Sequence, residues 1–259
     1  MRVVILCGGK GTRLREETEF RPKPMLPIGD RPILWHIMKI YAAHGFRDFV
    51  LCLGYKGEMI KEYFRNYRWN TCDVTLALGH DAEPKFHGHH DEEDWSITLA
   101  DTGQESMTAW RIKSVARYLG DDQRFLLTYG DGVGNVPIPA VVAAHRSSGK
   151  TCTLTAVHPP GRFGELSLRG DDVSGFNEKP QAEGGYINGG FMVCERHLID
   201  ELPDDPTVML EKGPLQSLAS SGRLGVFRHD GFWQPMDTFQ EFQLLNALWD
   251  SGRAPWKAW

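Results

Sequence analysis

The run Val3-Val4-Ile5-Leu6-Cys7 empties directly into Gly8-Gly9-Lys10-Gly11-Thr12-Arg13, and Arg21-Pro22-Lys23-Pro24-Met25 follows shortly after. A short apolar, β-branched run that empties into a glycine-rich turn reads as a buried strand. The glycines that end it carry no Cβ, so backbone N–H groups there can approach an anion closely. Two familiar glycine loops fail on spacing. The pattern G-x-G-x-x-G puts Leu14 where its third glycine belongs, and G-x-x-x-x-G-K-[ST] finds no match. The prolines on either side of Lys23 hold that segment extended where a simple dinucleotide fold would continue a helix. What remains is a stiff loop that offers Arg13 and Lys23 to phosphate groups.

The rest of the first half alternates strand-like and helix-like periodicity. Strands are expected at residues 2–7, 49–53, 74–78 and 125–129, and helices near 33–44, 58–67 and 111–119. That order predicts an α/β fold with a largely parallel sheet and helices on both faces. Gly130-Asp131-Gly132 breaks the strand that ends at Tyr129, and open α/β sheets place ligands at the carboxyl ends of strands. After a helix near 138–147 the strands become short and closely spaced, at 152–157, 165–168, 173–178 and 186–193, so this half reads as mixed or antiparallel. Helices near 207–220 and 238–250 close the chain. No repeat, low-complexity tract or long linker interrupts it, which predicts one domain over residues 1–259 with two lobes that divide near residue 150.

Charge and cysteine usage narrow the partners. Twenty-nine Lys and Arg against 34 Asp and Glu give a net charge of -5, which argues against a nucleic acid or a membrane surface and for a small ligand. Cys7, Cys52, Cys72, Cys152 and Cys194 are odd in number, lack C-x-x-C spacing and fall mostly in apolar runs. That pattern, with no apolar run of membrane-spanning length, predicts a reduced, cytoplasmic protein. Residues 84–95 hold His87, His89, His90, Asp91, Glu92, Glu93 and Asp94. Imidazole and carboxylate are metal ligands, but neighbours in a polar loop seldom converge on one point, so a solvated loop is the expectation.

The motifs together resemble the sugar-1-phosphate nucleotidyltransferase superfamily over nearly the whole chain. The resemblance is carried by Gly8 to Arg13, Pro22-Lys23-Pro24-Met25, Gly54-Tyr55-Lys56-Gly57, Tyr129-Gly130-Asp131-Gly132, Glu178-Lys179-Pro180 and Asn188-Gly189-Gly190-Phe191. Trp35-His36, Pro159-Pro160-Gly161-Arg162-Phe163-Gly164 and Trp233-Gln234-Pro235-Met236-Asp237-Thr238 point to its cytidylyl branch. The resemblance implies a Rossmann-like fold with a mixed, mostly parallel central sheet flanked by helices and a smaller sugar-binding lobe. It also implies Mg2+ dependence and a homo-oligomer, often a hexamer. The implied reaction moves CMP from CTP to glucose 1-phosphate, giving CDP-glucose and pyrophosphate for deoxysugar or surface-glycan synthesis.

By the same resemblance, Gly8, Gly9, Gly11, Thr12 and Arg13 line the triphosphate, with Gly130 beside them, and Lys23 neutralises charge near the scissile bond. Asp131 and Asp237 hold the metal, and Arg13, Lys23 and Asp131 form the catalytic set. Ser106, Thr108 and Arg111 contact the nucleotide. Lys179 clamps the sugar phosphate, while Gly164, Glu178 and Asn188 address the sugar. Departures are local: Ala109 and Trp110 replace two glycines usual in the family, Ser114 replaces a common basic residue, and residues 208–211 lack a tryptophan often found there. A same-chemistry rival uses UTP, dTTP or another phosphorylated acceptor. A rival of a different class is a sensor that binds nucleotide sugars without turnover.

Overall fold

The computed structural model describes residues 1–11, 14, 18–79, 83–92, 94–159, 165–169, 172–177 and 185–259, with the backbone alone for 165–169 and 172–177. Its main sheet contains β1 (Val3–Leu6), β2 (Asp48–Leu53), β3 (Ser96–Asp101), β4 (Arg124–Tyr129), β5 (Cys152–Val157), β6 (Ile187–Asn188), β7 (Met192–Glu195) and β8 (Leu224–His229). The spatial order is β6-β5-β7-β4-β1-β2-β3, with β8 on β5. The four strands β4, β1, β2 and β3 run parallel. β7 lies antiparallel to β4 and to β5, β6 lies antiparallel to β5, and β8 lies parallel to β5. The mixed, mostly parallel sheet expected from the sequence is therefore present.

Helices α1 (Ile33–Ala43), α2 (Gly57–Arg65), α3 (Thr108–Ser114), α4 (Ile138–Ser148), α5 (Pro214–Ser220) and α6 (Phe239–Asp250) cover both faces. Successive side chains of a strand point to opposite faces, and β1 shows the consequence. Val3 and Ile5 join a core built with Ile33, Ile37, Ile60, Val141 and Leu245, whereas Val4 and Leu6 join another with Ala109, Ile112, Leu215 and Leu218. Both layers demand apolar side chains, so the run is continuous rather than alternating. Each such side chain, fully buried, contributes about 1.5–3 kcal/mol.

Several elements differ from the sequence reading. Of residues 74–78, only part is strand: Asp73–Thr75 pairs antiparallel with Lys85–His87 in a hairpin outside the main sheet, and Leu76 and Leu78 are exposed. Beside β2 in the main sheet lies β3, whose Ser96-Ile97-Thr98 opening is half polar because it forms the sheet edge. The long helix near 207–220 is broken at Gly213-Pro214 into a 3-10 turn, Leu210–Lys212, and α5. Proline opens a helix readily but cannot continue one. The strand near 186–193 is divided into β6 and β7 at Gly189-Gly190, and Phe191 next to them takes a left-handed φ of 44°. Among the described residues, no helix is long and apolar enough to cross a membrane.

Candidate active site

The register Leu6↔Cys52 and Leu6↔Tyr129 ends β1, β2 and β4 level with one another, and the glycine loop leaves from that edge. Backbone bonds continue the ladder past the strands: Cys7 N–H donates to Cys52 O at 3.0 Å and Gly130 N–H to Leu6 O at 3.0 Å. Gly8 is a site of close approach. A Cβ on it would lie 2.2 Å from the Arg111 guanidinium. That guanidinium is buried and donates to the carbonyls of Gly8 (3.1 Å), Leu53 (3.0 Å) and Gly103 (2.8 Å) and to Thr102 Oγ1 (2.7 Å). Arg111 thus stitches the glycine loop to the ends of β2 and β3. Its helix begins at Thr108, before the two positions that depart from the family pattern, so Arg111 lies inside the first turns of α3 rather than at its start.

Lys23, Asp131 and Asp237 meet although they come from distant parts of the chain. The 3-10 turn Lys23–Met25 carries the lysine, which is buried. Its ammonium donates to Asp131 Oδ2 at 2.7 Å and to Asp237 Oδ1 at 2.5 Å. A two-stranded ladder pairs Gly132 with Pro235 and Gly134 with Trp233, and Met236 N–H donates to Asp131 O at 2.8 Å, so the two aspartates emerge side by side. The Asp237 carboxylate is not the cap of α6. Thr238 takes that role, its hydroxyl accepting from Glu241 N–H, while Glu241 Oε2 accepts from the N–H groups of both Asp237 and Thr238. Burial disfavours the charged lysine, but the two carboxylates outweigh it and hold the Lys23 pKa above its ordinary value. The ammonium therefore persists. Two carboxylates converging on one cation are a donor set suited to Mg2+, which binds proteins through one or two carboxylates and takes its remaining ligands from phosphates and water.

Beside this triad lies a cavity of about 530 Å³, lined by Leu6, Cys7, Gly9, Gly11, Pro24, Thr108, Gly130 and Met209, and by Tyr129 with the triad itself. Among the described residues, no heavy atom from beyond its chain neighbours lies within 4 Å of a Cβ built on Gly9, so its backbone is open to a ligand, and Gly11 needs its left-handed φ of 62°. Burial pushes the Cys7 thiol well above its usual range, so it stays a thiol and offers no nucleophile. Asn188 reaches the cavity wall through Tyr129, and Ser106 donates to Thr102 O from the loop above α3. Thr12, Arg13, Gly164, Glu178 and Lys179 lie outside the described residues. Tyr129 and Glu211 were not among the expected site residues. The first was signalled by its place at the end of β4 just before Gly130-Asp131. The second had no local signal, since only tertiary folding brings it to Tyr129.

The histidine loop is drawn into other contacts. His87 bonds Thr75 within its hairpin, and His90 sits 3.7 Å from Glu92, which accepts from Lys39 and Tyr67. Among the described residues, no three His, Cys, Asp or Glu side chains converge as a metal cluster.

A carboxylate pair, a buried lysine and a glycine loop at the carboxyl ends of parallel strands are the equipment of phosphate-transfer chemistry. The chain belongs to the nucleotidyl transferase family, whose sequence profile matches residues 2–222. Within that family it stands among the glucose-1-phosphate cytidylyltransferases: over 260 residues it is 52% identical to the glucose-1-phosphate cytidylyltransferase of Salmonella typhimurium, with all of both chains covered. The mannose-1-phosphate guanyltransferase of Neurospora crassa is more distant, 27% identical over 96% of this chain and 64% of its own. HddC from Yersinia pseudotuberculosis shares the fold, with a TM-score of 0.69 and 19% identity over 96% of this chain and 99% of that one.

Proposed function

We propose that this protein transfers CMP from CTP to α-D-glucose 1-phosphate, releasing pyrophosphate and giving CDP-glucose for deoxysugar or surface-glycan synthesis. The observation that carries the reaction class is the convergence of Lys23, Asp131 and Asp237 beside the glycine loop. The choice of CTP and glucose 1-phosphate rests on the full-length likeness to enzymes named for that pair.

A phosphate monoester has its second pKa near ~6, so the acceptor is largely dianionic at neutral pH and needs no general base. Its phosphate oxygen forms a bond to the α-phosphorus of CTP, the bond from that phosphorus to the bridging oxygen breaks, and pyrophosphate leaves with the electron pair. The protein's task is to bring polyanions together and neutralise the charge that develops. A bound Mg2+ would supply charge neutralisation and orient the phosphates, held by Asp131 and Asp237. Lys23, already buried beside both, supplies a second fixed cation. Gly8, Gly9, Gly11 and Gly130 present backbone to the triphosphate together with Thr12 and Arg13, and Ser106, Thr108 and Arg111 support the nucleotide. Lys179 holds the acceptor phosphate, with Gly164, Glu178 and Asn188 on the sugar. On this reading residues up to about 150 serve the nucleotide and the remainder the sugar, within a cytoplasmic homo-oligomer.

Pyrophosphate release across a panel of nucleoside triphosphates and sugar 1-phosphates tests the assignment. CTP with glucose 1-phosphate should be fastest and should require a divalent cation. Equal turnover with UTP or dTTP would remove the cytidylyl assignment, and no turnover with any pair would favour the sensor.

A further inference from the structure

Glu211 sits in the 3-10 turn beside the cavity and receives a hydroxyl on each carboxylate oxygen. Tyr129 donates to Oε1 at 2.6 Å and Thr108 to Oε2 at 2.8 Å. The direction of these bonds is fixed from both ends. A carboxylate only accepts, and a backbone N–H only donates. Leu210 N–H reaches Thr108 Oγ1 at 2.7 Å, so the Thr108 hydrogen must point to Glu211. On the other arm, Gly190 N–H donates to Asn188 Oδ1 at 3.0 Å, which settles which way that amide faces: its Nδ2 donates to the Tyr129 oxygen at 3.1 Å. Tyr129 has one hydrogen and gives it to Glu211. Tyr129 lines the cavity, and among the described residues its oxygen makes no bond beyond these two, which leaves it a lone pair to offer.

We propose that Glu211 is a specificity-determining positioning residue, which holds Tyr129 so that it meets the acceptor sugar only as a hydrogen-bond acceptor. The sugar must then present an O–H donor at that point. A fluorine or carbonyl in the same place would set lone pair against lone pair. Tyr129 is assigned to the acceptor side because it is bonded to Asn188; this rests on the reading that the acceptor is a sugar 1-phosphate with Asn188 on its sugar.

The test is kcat/KM, at saturating CTP, for the deoxy and deoxyfluoro analogues of the sugar 1-phosphate that the wild-type enzyme turns over, each ring position in turn. At one position both analogues should fall by about ten- to a hundredfold, because fluorine can accept but not donate. Tyr129→Phe should erase that loss. Glu211→Met, which frees the phenolic hydrogen to turn toward the cavity, should raise the deoxyfluoro analogue relative to the deoxy analogue at the same position. A merely structural carboxylate would lower all rates together and leave the ratio where it was. Unchanged ratios in both variants, or a wild-type enzyme that discriminates at no position, would overturn the inference while leaving the transferase reading standing. Absence of turnover with any sugar 1-phosphate would sink the transferase reading and this inference with it.

Discussion

Lys23 occupies the point toward which Asp131 and Asp237 both turn, and that fact orders the roles of the three residues. An ammonium within hydrogen-bond distance of two carboxylates keeps their like charges together while no metal is bound. If the proposed metal takes those two carboxylates, the ammonium competes with it for the same oxygens. Lys23→Met should therefore bind Mn2+ more tightly than wild type in the absence of nucleotide, by calorimetric titration, while losing most turnover. Equal or weaker Mn2+ binding in the variant would show that the lysine supports the carboxylates rather than competing for them. The aspartates should behave as a unit. Asp131→Asn and Asp237→Asn should each abolish most turnover, and the double variant should be little worse than the worse single, since residues that share one ion are non-additive. Single and double kinetics, with thermal melts in EDTA to monitor folding, decide this; near-normal turnover in either single variant would assign the metal to the other aspartate alone.

At the scale of elements, the site depends on two small structures that local sequence hardly announces. The ladder between Gly132–Gly134 and Trp233–Pro235 brings Asp131 to Asp237, and no periodicity marks three-residue strands a hundred residues apart. The helix that follows was legible, because Thr238 and Glu241 spell a capping box at the head of an apolar pattern. β1 and the glycine loop were legible for a similar reason: both faces of β1 are buried, and only glycine lets Arg111 press against residue 8. β3 and β8 were not. β3 opens with polar residues, and β8 carries Gly225 and an exposed Val226, so neither shows the apolar run that identifies an interior strand. Glu211 illustrates the limit for single residues, since its meaning lies in partners about eighty and a hundred positions away. The cap offers a separate measurement. Thr238→Ala should cost about 1 kcal/mol in urea unfolding, and Glu241→Ala should add less to it than its own single loss because the two side chains, Thr238 through Glu241 N–H and Glu241 through the N–H groups of Asp237 and Thr238, fix the same first turn. Fully additive losses would mean that the two bonds stabilise the helix independently.

Over the whole molecule, the end of the chain folds back to brace the site from beneath. Trp256 is wholly buried, stacks with Phe232 at 5.7 Å and with Trp249 at 6.4 Å, and so packs against the residue leading into the ladder that carries Asp237. Its indole N–H donates to His36 Nδ1 at 3.4 Å, and His36 Nε2 lies 3.0 Å from Ile28 O, which fixes a neutral imidazole with its proton on Nε2. Trp35, Trp249 and Trp259 complete the enclosure. Burial is the main cause that lowers the His36 pKa to about 4, with the bond to Ile28 pulling the other way. A histidine held neutral in the folded state and free to protonate near ~6.5 when unfolded makes the unfolded chain the stronger proton binder between those values. Stability from this residue is fully present above the unfolded pKa and declines as pH falls toward about 4, by about 3 kcal/mol in all. Burial lowers the pKa of His145 as well, so it adds to the same slope with the same sign. Urea unfolding from pH 7.5 to 4.5 should therefore show stability falling with acid above the range where carboxylates titrate, and His36→Gln, which can keep both hydrogen bonds without titrating, should flatten most of that fall. An equal slope in the variant would mean that the enclosure admits water and that the C-terminal tryptophans brace the site without sealing it.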